Sequence, residues 1–286
     1  MTTDALQARA PAPPGGRGSV DGRAVIVVVV DLAVLAWIAL ALTHGHHGAV
    51  ALPALDGPPA THAGHSHGGA ALTDPLPLVP GPALRTSGWV LMVVAMMLPP
   101  ALPLLQVARR LVARRSRPGL LVAVTAVAFL AVWGLAGLGY AAGDLALRAL
   151  AGSSTLLRQH PELASGLAAV AAGAYQFTPL KRACLDACRS PRGLAMTTWT
   201  GVRPRRDAAL LGLRFGLVCV GCCWALMLLT FTVGVAAMPV MVLMTAVMAL
   251  ERLLPRFRPV VPFVGVGAIA LGVLLLAGLV PPGLTR

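Results

Sequence analysis

The amino-acid sequence predicts an all-α fold: a polytopic transmembrane helical bundle with about seven spans. Hydrophobic residues make up 57% of the 286-residue chain and charged residues only 12%, about half the charged share of an average soluble protein. Apolar runs recur along the chain, and several approach the roughly 20 residues that a helix needs to cross a bilayer. They lack the short alternating segments that are typical of a membrane β-barrel.

The apolar runs and the polar segments between them divide the chain. A Pro/Gly/Arg-rich start is typical of disorder, and the first apolar run is longer than the apolar core of a signal peptide, which favours an anchor. We expect a disordered cytoplasmic tail (residues 1–22), a first membrane helix (23–42), a His-rich extracytoplasmic loop (43–86), a six-helix membrane domain (87–280) with a basic cytoplasmic loop (178–206), and a short tail (281–286).

The positions of the cationic residues predict the orientation. With the N-terminus in the cytoplasm, 19 of the 23 Lys and Arg residues fall on the cytoplasmic side and four outside, as the positive-inside rule requires. We therefore expect a multi-pass protein of the cytoplasmic (inner) membrane with an extracytoplasmic C-terminus. The net charge of +13 is explained by these clusters, and the absence of a nucleic-acid-binding motif excludes nucleic acid as the expected partner.

Three cysteines in the fifth apolar run are the strongest chemical signal. Cys219, Cys222 and Cys223 are spaced i, i+3, i+4, so one face of a helix carries all three. Met227 follows on the same side. Gly212 and Gly216 on that face form a small-xxx-small pair, which favours close approach of a neighbouring helix.

Further sulfur atoms lie on other segments. They are Met92, Met96 and Met97 in the second run, Met238, Met241, Met244 and Met248 in the sixth, and Cys184 and Cys188 one helical turn apart in the basic loop. Thiolate and thioether ligands select Cu(I), and thiolates also bind zinc. The alternative for the methionines is ordinary core packing. The sequence thus predicts a Cu(I) site, with zinc as a second candidate.

Six of the seven histidines lie within 24 residues of the expected outer loop: His44, His46, His47, His62, His65 and His67. Such a tract is typical of metal capture. The alternative is a solvated low-complexity loop without a defined site.

Two acidic residues in apolar surroundings are further candidates. Asp31 lies within the first run, and an ionisable residue inside a membrane span indicates function by default; the alternative is a hydrogen bond between packed helices. Glu251 closes the sixth run and precedes Arg252, and a surface ion pair between these two is favoured over a role in metal or proton release.

Three motifs resemble a known family. The chain reads WVLMVVAMMLP at 89–99, YQFTPLKRACLDACRSP at 175–191 and GLVCVGCCWALM at 216–227. Together they closely resemble the bacterial family of predicted metal-binding integral membrane proteins catalogued as domain of unknown function 2182, over about residues 87–278. The resemblance marks Trp89, Met92, Met96, Met97, Pro99, Tyr175, Gln176, Thr178, Pro179, Lys181, Cys184, Cys188, Cys219, Cys222, Cys223, Met227 and Glu251. The chain departs from the family pattern at 237–239, where it reads AMP in place of an expected Met-Asn pair.

The function expected from these observations is binding and hand-over of Cu(I) through a Cys/Met site in the bundle. Cys184 and Cys188 would be a cytoplasmic hand-off point, and the partners would be the lipid bilayer, the metal ion and a metallochaperone or target metalloprotein. No P-loop or catalytic motif is present, so no enzyme is expected. A membrane thiol-disulfide redox protein and a non-catalytic membrane assembly subunit are the alternatives.

Overall fold

The computed structural model of the chain describes residues 21–48, 82–160, 162–232, 238–253 and 260–279. Within these ranges the chain is helical and contains no strand, which confirms the all-α prediction. The helices are α1 (Gly22–Gly48), α2 (Pro82–Met97), a 3-10 turn η1 (Pro99–Ala101), α3 (Leu102–Val112), α4 (Pro118–Ser153), α5 (Thr155–Gln159), α6 (Glu162–Tyr175), α7 (Pro179–Arg189), α8 (Pro191–Thr198), α9 (Pro204–Thr232), α10 (Met238–Leu253) and α11 (Val260–Leu276).

Three helical segments in the described ranges are long and apolar enough to cross a membrane: Gly22–Leu42, Pro118–Leu147 and Pro204–Thr230. The bent pair Gly88–Met97 and Pro99–Val112 makes a fourth if it forms one broken span. The helix α6, with 14 residues, is only about 21 Å long at 1.5 Å per residue, which is less than the roughly 30 Å of a bilayer core. The expected number of about seven spans is therefore not confirmed.

The second apolar run is bent at its prolines. The axis turns by 51° between Gly88–Met97 and Pro99–Val112, and Pro99 and Pro100 lie in η1 at the turn. A proline lacks the N–H that would continue the helical ladder, and its ring clashes with the preceding turn. The bend separates α2 from α3, and so places the methionines before it apart from the arginines after it.

Two segments predicted as loops contain helix. Helices α1 and α2 extend into the expected 43–86 loop from both sides, to Gly48 and from Pro82. The expected 178–206 loop folds into α7, α8 and the start of α9. Each of these three helices begins at a proline, which suits the first helical position because its fixed φ is helical and its absent N–H is not needed there. The segment 178–206 therefore contains helices, and its placement as a cytoplasmic connection between membrane spans stays a prediction.

The helix α9 packs directly against α4. A Cβ on Gly212 would lie 2.3 Å from the Thr125 carbonyl oxygen, and one on Gly216 would lie 2.8 Å from Val132 Cβ. No side chain larger than hydrogen fits at either place without a shift of the backbone. The close approach that the sequence predicts at this glycine pair is therefore present, with α4 as the neighbour.

A second glycine contact joins α6 and α11. Gly166 and Gly173 on α6 face Gly272 and Gly265 on α11, and a Cβ on Gly173 would lie 2.7 Å from the Gly265 carbonyl oxygen. The helices touch backbone to backbone, as small-residue seams between apolar helices allow. The large apolar core is built mainly from α2 and α9, and α6 and α11 contribute to it through Ala169, Ala172, Val261 and Ala268.

Candidate sulfur site

The sulfur-bearing face of α9 is fully buried. Cys219, Cys222, Cys223 and Met227 are each at most 1% exposed. The Sγ atoms of Cys222 and Cys223 lie 3.3 Å apart. All five cysteines are reduced. The row of thiols thus points into the packed interior of the described bundle.

Helix α7 brings a fourth thiol to this row. Thr178 caps α7 by accepting a hydrogen bond from the Lys181 N–H at 3.2 Å, which satisfies one of the free donors of the first turn. One face of α7 is buried, and it places Cys188 Sγ 3.5 Å from Cys222 Sγ. Cys188 therefore belongs to the main cluster, and its prediction as part of a separate cytoplasmic hand-off pair does not match its position.

Cys184 lies one turn earlier on α7 and is half-buried. Its Sγ lies against Gly221, where an added Cβ would approach it to 2.7 Å. Partial burial raises the pKa of the Cys184 thiol above its usual value, since burial disfavours the thiolate. Among the five cysteines, this thiol has the greatest access to the outside of the cluster.

The guanidinium of Arg252 lies among the thiols. Its Nη2 contacts the Sγ of Cys219 and lies 3.5 Å from the Sγ atoms of both Cys188 and Cys222. Its Nη1 is 4.0 Å from Met97 Sδ. Arg252 is only 6% exposed, so a permanent positive charge is buried at the point where three sulfurs converge.

Glu251 pairs with Lys181 and not with its neighbour Arg252. The Lys181 Nζ lies 2.8 Å from Glu251 Oε2, and both side chains are 1% exposed. The prediction of a surface pair between Glu251 and Arg252 is wrong, because both side chains of α10 point inward. Glu251 points toward α7 and Arg252 points toward the thiols. Lys181 also donates a 2.6 Å hydrogen bond to the Cys222 carbonyl oxygen. Arg189 Nε donates to the Glu251 carbonyl oxygen at 2.8 Å.

Aromatic side chains of α4 and α6 donate hydrogen bonds to the sulfur helix. Trp133 Nε1 donates to Cys219 Sγ at 3.3 Å. Trp89 Nε1 in turn donates to the Trp133 carbonyl oxygen at 2.7 Å. Tyr175 donates its hydroxyl proton to the Gly221 carbonyl oxygen at 2.6 Å. These bonds fix the rotation of α9, and with it the direction of its thiols.

The methionines of the two predicted stripes take part in the same core. Met92, Met96 and Met97 on α2 and Met241 and Met248 on α10 are buried, whereas Met238 and Met244 are half-buried and pack against the core. Among the contacts of the described residues, Met97 is the methionine that reaches the Arg252 guanidinium. The metal-binding role predicted for the other methionines stays a prediction.

Several predicted residues lie outside the cluster. Asp31 is exposed on α1, and its function stays a prediction. Gln176 is 1% exposed, and its amide has no hydrogen-bond partner in the described chain. The side chains of His44, His46 and His47, and all of His62, His65 and His67, fall outside the described residues.

The thiols do not form a preset metal cage. No group of three or more His, Cys, Asp and Glu side chains within the described ranges is arranged to hold a metal ion. The guanidinium of Arg252 lies between Cys219 and the pair formed by Cys188 and Cys222. The close sulfur contacts are those of Cys222 with Cys188 and with Cys223.

Two functional candidates are absent from the sequence prediction. Arg252 entered it only as the expected partner of Glu251, because a cation at the end of an apolar helix is ordinary there and does not by itself indicate a buried site. Trp133 stands in an apolar run with no pattern around it, and only its contact with Cys219 distinguishes it. The sequence offers no signal that would have found it.

Comparison with known proteins bears on this cluster of soft ligands. The profile of the family PpoB2, described as copper chaperone, matches residues 86–275, about two thirds of the chain. The chain belongs to the PpoB2 copper chaperone family. No curated protein and no solved structure matches it.

Membership in PpoB2 confirms the expectation of a copper-related protein. The match does not bear on domain of unknown function 2182 as a family name, which stays a prediction. The matched range contains all five cysteines and all of the described sulfur cluster.

Proposed function

We propose that the chain is a membrane-embedded copper chaperone that binds Cu(I) at the buried thiol cluster and hands it to a partner protein. The observation that carries the proposal is the convergence of Cys188, Cys219 and Cys222 on one buried cation, the Arg252 guanidinium. Family membership supports copper as the cargo. We favour Cu(I) over zinc because thiolate and thioether ligands together select Cu(I), and Met97 Sδ lies 4.0 Å from the same guanidinium that the thiols surround.

Charge balance explains why a buried arginine stands at this place. Cu(I) held by two thiolates has a net charge of −1, and an isolated charge in an apolar interior is costly. The Arg252 guanidinium supplies the compensating positive charge from within hydrogen-bonding distance of the sulfurs. Each cysteine that binds Cu(I) gives up its thiol proton, and the guanidinium N–H groups stabilise the resulting thiolates.

The arrangement of the thiols supports a route for hand-over. Cys184 is half-buried, Cys188 lies one turn further along α7, and Cys222 lies beside Cys188 in the interior. Cu(I) can pass between such neighbours by exchange of one thiolate for the next, with no change in its oxidation state. Cys184 is thus the proposed ligand through which a partner metalloprotein or chaperone exchanges copper.

Membrane insertion is part of the proposal. Three apolar helices of sufficient length, or four with the bent pair, support it, and the distribution of Lys and Arg supports a cytoplasmic N-terminus. Reporter fusions at the two ends of the chain test this orientation. An N-terminal fusion that is active only outside the cytoplasm contradicts it.

A chelator competition tests the copper proposal. The full-length protein is purified without oxygen and titrated with Cu(I) against a chromogenic Cu(I) chelator. We expect one tight equivalent in the wild type, its loss in Cys222→Ser, and wild-type affinity in the control Met196→Leu, since Met196 is a sulfur residue that is 83% exposed. Equal binding by all three proteins contradicts the proposal.

The variant Cys184→Ser separates binding from hand-over. We expect nearly unchanged affinity in the titration but slower release of Cu(I) to a soluble thiol-rich acceptor, followed by stopped-flow absorbance. A wild-type release rate removes Cys184 from the route.

A second candidate function is thiol-disulfide exchange. The 3.5 Å separation of Cys188 Sγ and Cys222 Sγ, on different helices, favours it. Thiol counting on the same anaerobic preparation before and after mild oxidation distinguishes the two functions. A reversible loss of two thiols without any copper binding supports exchange and contradicts the copper proposal.

A further inference from the structure

A cavity of about 380 Å³ lies between α3 and the junction of α7 with α8, and no cysteine lines it. It is lined by the end of α3, the last residue of α7 and the start of α8, including Gln106, Arg110, Arg189 and Arg192. No acidic side chain of the described chain lines it. Three arginines around one open cavity make a strongly positive site.

The three arginines are not equivalent. Arg189 donates to the Glu251 carbonyl oxygen and lies 3.8 Å from the Asp186 carboxylate, so part of its charge is already balanced. Arg110 and Arg192 are exposed, and they face the cavity from different helices. Their guanidinium groups can therefore converge on one ligand.

We propose that this cavity, lined by Gln106, Arg110, Arg189 and Arg192, binds a phosphate-class oxyanion. Guanidinium groups bind phosphate oxygens through paired, charge-assisted hydrogen bonds. The Gln106 amide is a further donor at the rim. The backbone N–H of Arg192 is another donor. The first N–H groups of a helix have no partner within the helix, and no side chain caps α8.

The phosphate comes either from an anionic phospholipid headgroup or from a free anion. We expect the headgroup, because the cavity lies at the arginine-rich end of α3 beside apolar helices, and basic pockets between membrane helices on the cytoplasmic side bind anionic headgroups. This choice of source rests on the membrane placement proposed above. The phosphate chemistry does not depend on the copper proposal.

The test compares two charge-matched double variants of the full-length protein in detergent. Arg110→Gln/Arg192→Gln removes two cavity cations, whereas Arg114→Gln/Arg205→Gln removes two exposed cations that do not line the cavity. Native mass spectrometry measures bound lipid with phosphatidylglycerol and, as a neutral control, with phosphatidylcholine of the same acyl chains. Inorganic phosphate at fixed ionic strength competes in a third arm.

We expect phosphatidylglycerol affinity to fall about 30-fold in the cavity variant. Each of the two arginines near a headgroup contributes about 1 kcal/mol, and affinity changes tenfold for about 1.4 kcal/mol. The surface variant should bind nearly as the wild type does. If inorganic phosphate displaces the bound lipid, the site also takes the free ion. If it does not displace the lipid, the site is specific for the lipid headgroup. Equal losses in both variants overturn the proposal, as does a lack of preference for phosphatidylglycerol over phosphatidylcholine together with no binding of inorganic phosphate.

Discussion

Removing the buried ammonium of Lys181 should destabilise the protein strongly, whereas removing the whole ion pair should not. Lys181 Nζ and Glu251 Oε2 lie 2.8 Å apart with both side chains 1% exposed. The variant Lys181→Met leaves the Glu251 carboxylate buried without its partner, which costs about 3–5 kcal/mol. At about 2–4 °C per kcal/mol for a chain of this size, the apparent melting temperature should fall by about 10 °C.

The double variant Lys181→Met/Glu251→Gln removes both charges. Replacement of a buried pair by uncharged side chains is often close to neutral, so the double variant should recover most of the lost temperature. The control is Arg182→Met, since Arg182 is an exposed cation on the same helix and should shift the midpoint by only a degree or two.

The assay is fluorescence-detected size exclusion of the detergent-solubilised protein after heating. One heating rate is used throughout, because membrane proteins commonly unfold irreversibly and the midpoint then depends on that rate. Since α7 carries Cys188, the single variant should also bind Cu(I) more weakly. A Lys181→Met midpoint equal to the wild type, or a double variant whose midpoint is no higher than that of Lys181→Met, would refute a buried, mutually compensating pair.

Two further predictions concern the support of the sulfur helix. Trp133→Phe removes the N–H that reaches Cys219 Sγ, and loss of such an outer hydrogen bond typically lowers metal affinity by about 10–100-fold; chelator competition measures it, and unchanged affinity contradicts the role of the indole. Gly212→Ala places a methyl group where the Thr125 carbonyl lies and should cost about 1–3 kcal/mol by overpacking. Its control, Gly134→Ala, meets open space and should be neutral or slightly stabilising. Equal thermal midpoints for the two alanine variants would contradict the close α4–α9 contact.

The helical class and the inward face of α9 could be predicted because they depend on local pattern. The spacing of Cys219, Cys222 and Cys223 fixes a common face whatever the fold, and Gly212 with Gly216 indicates a close neighbour. The pattern could not show that this neighbour is α4. That depends on tertiary packing between residues far apart in the chain.

The composition of the cluster could be predicted only in part. Cys188 joins Cys222 because α7 is an amphipathic helix in a segment whose charge suggested a loop. Arg252 was expected to pair with its neighbour Glu251, but consecutive residues on a helix point about 100° apart. One therefore reaches the thiols and the other reaches Lys181.

X-ray absorption at the copper edge of the anaerobically loaded full-length protein tests the central claim most directly, because it reports the atoms bound to the metal. We expect Cu(I) with a first shell of sulfur only, and loss of that spectrum in Cys219→Ser/Cys222→Ser. A shell of nitrogen or oxygen, or a sulfur shell that persists in the double variant, would contradict copper binding at the buried thiols.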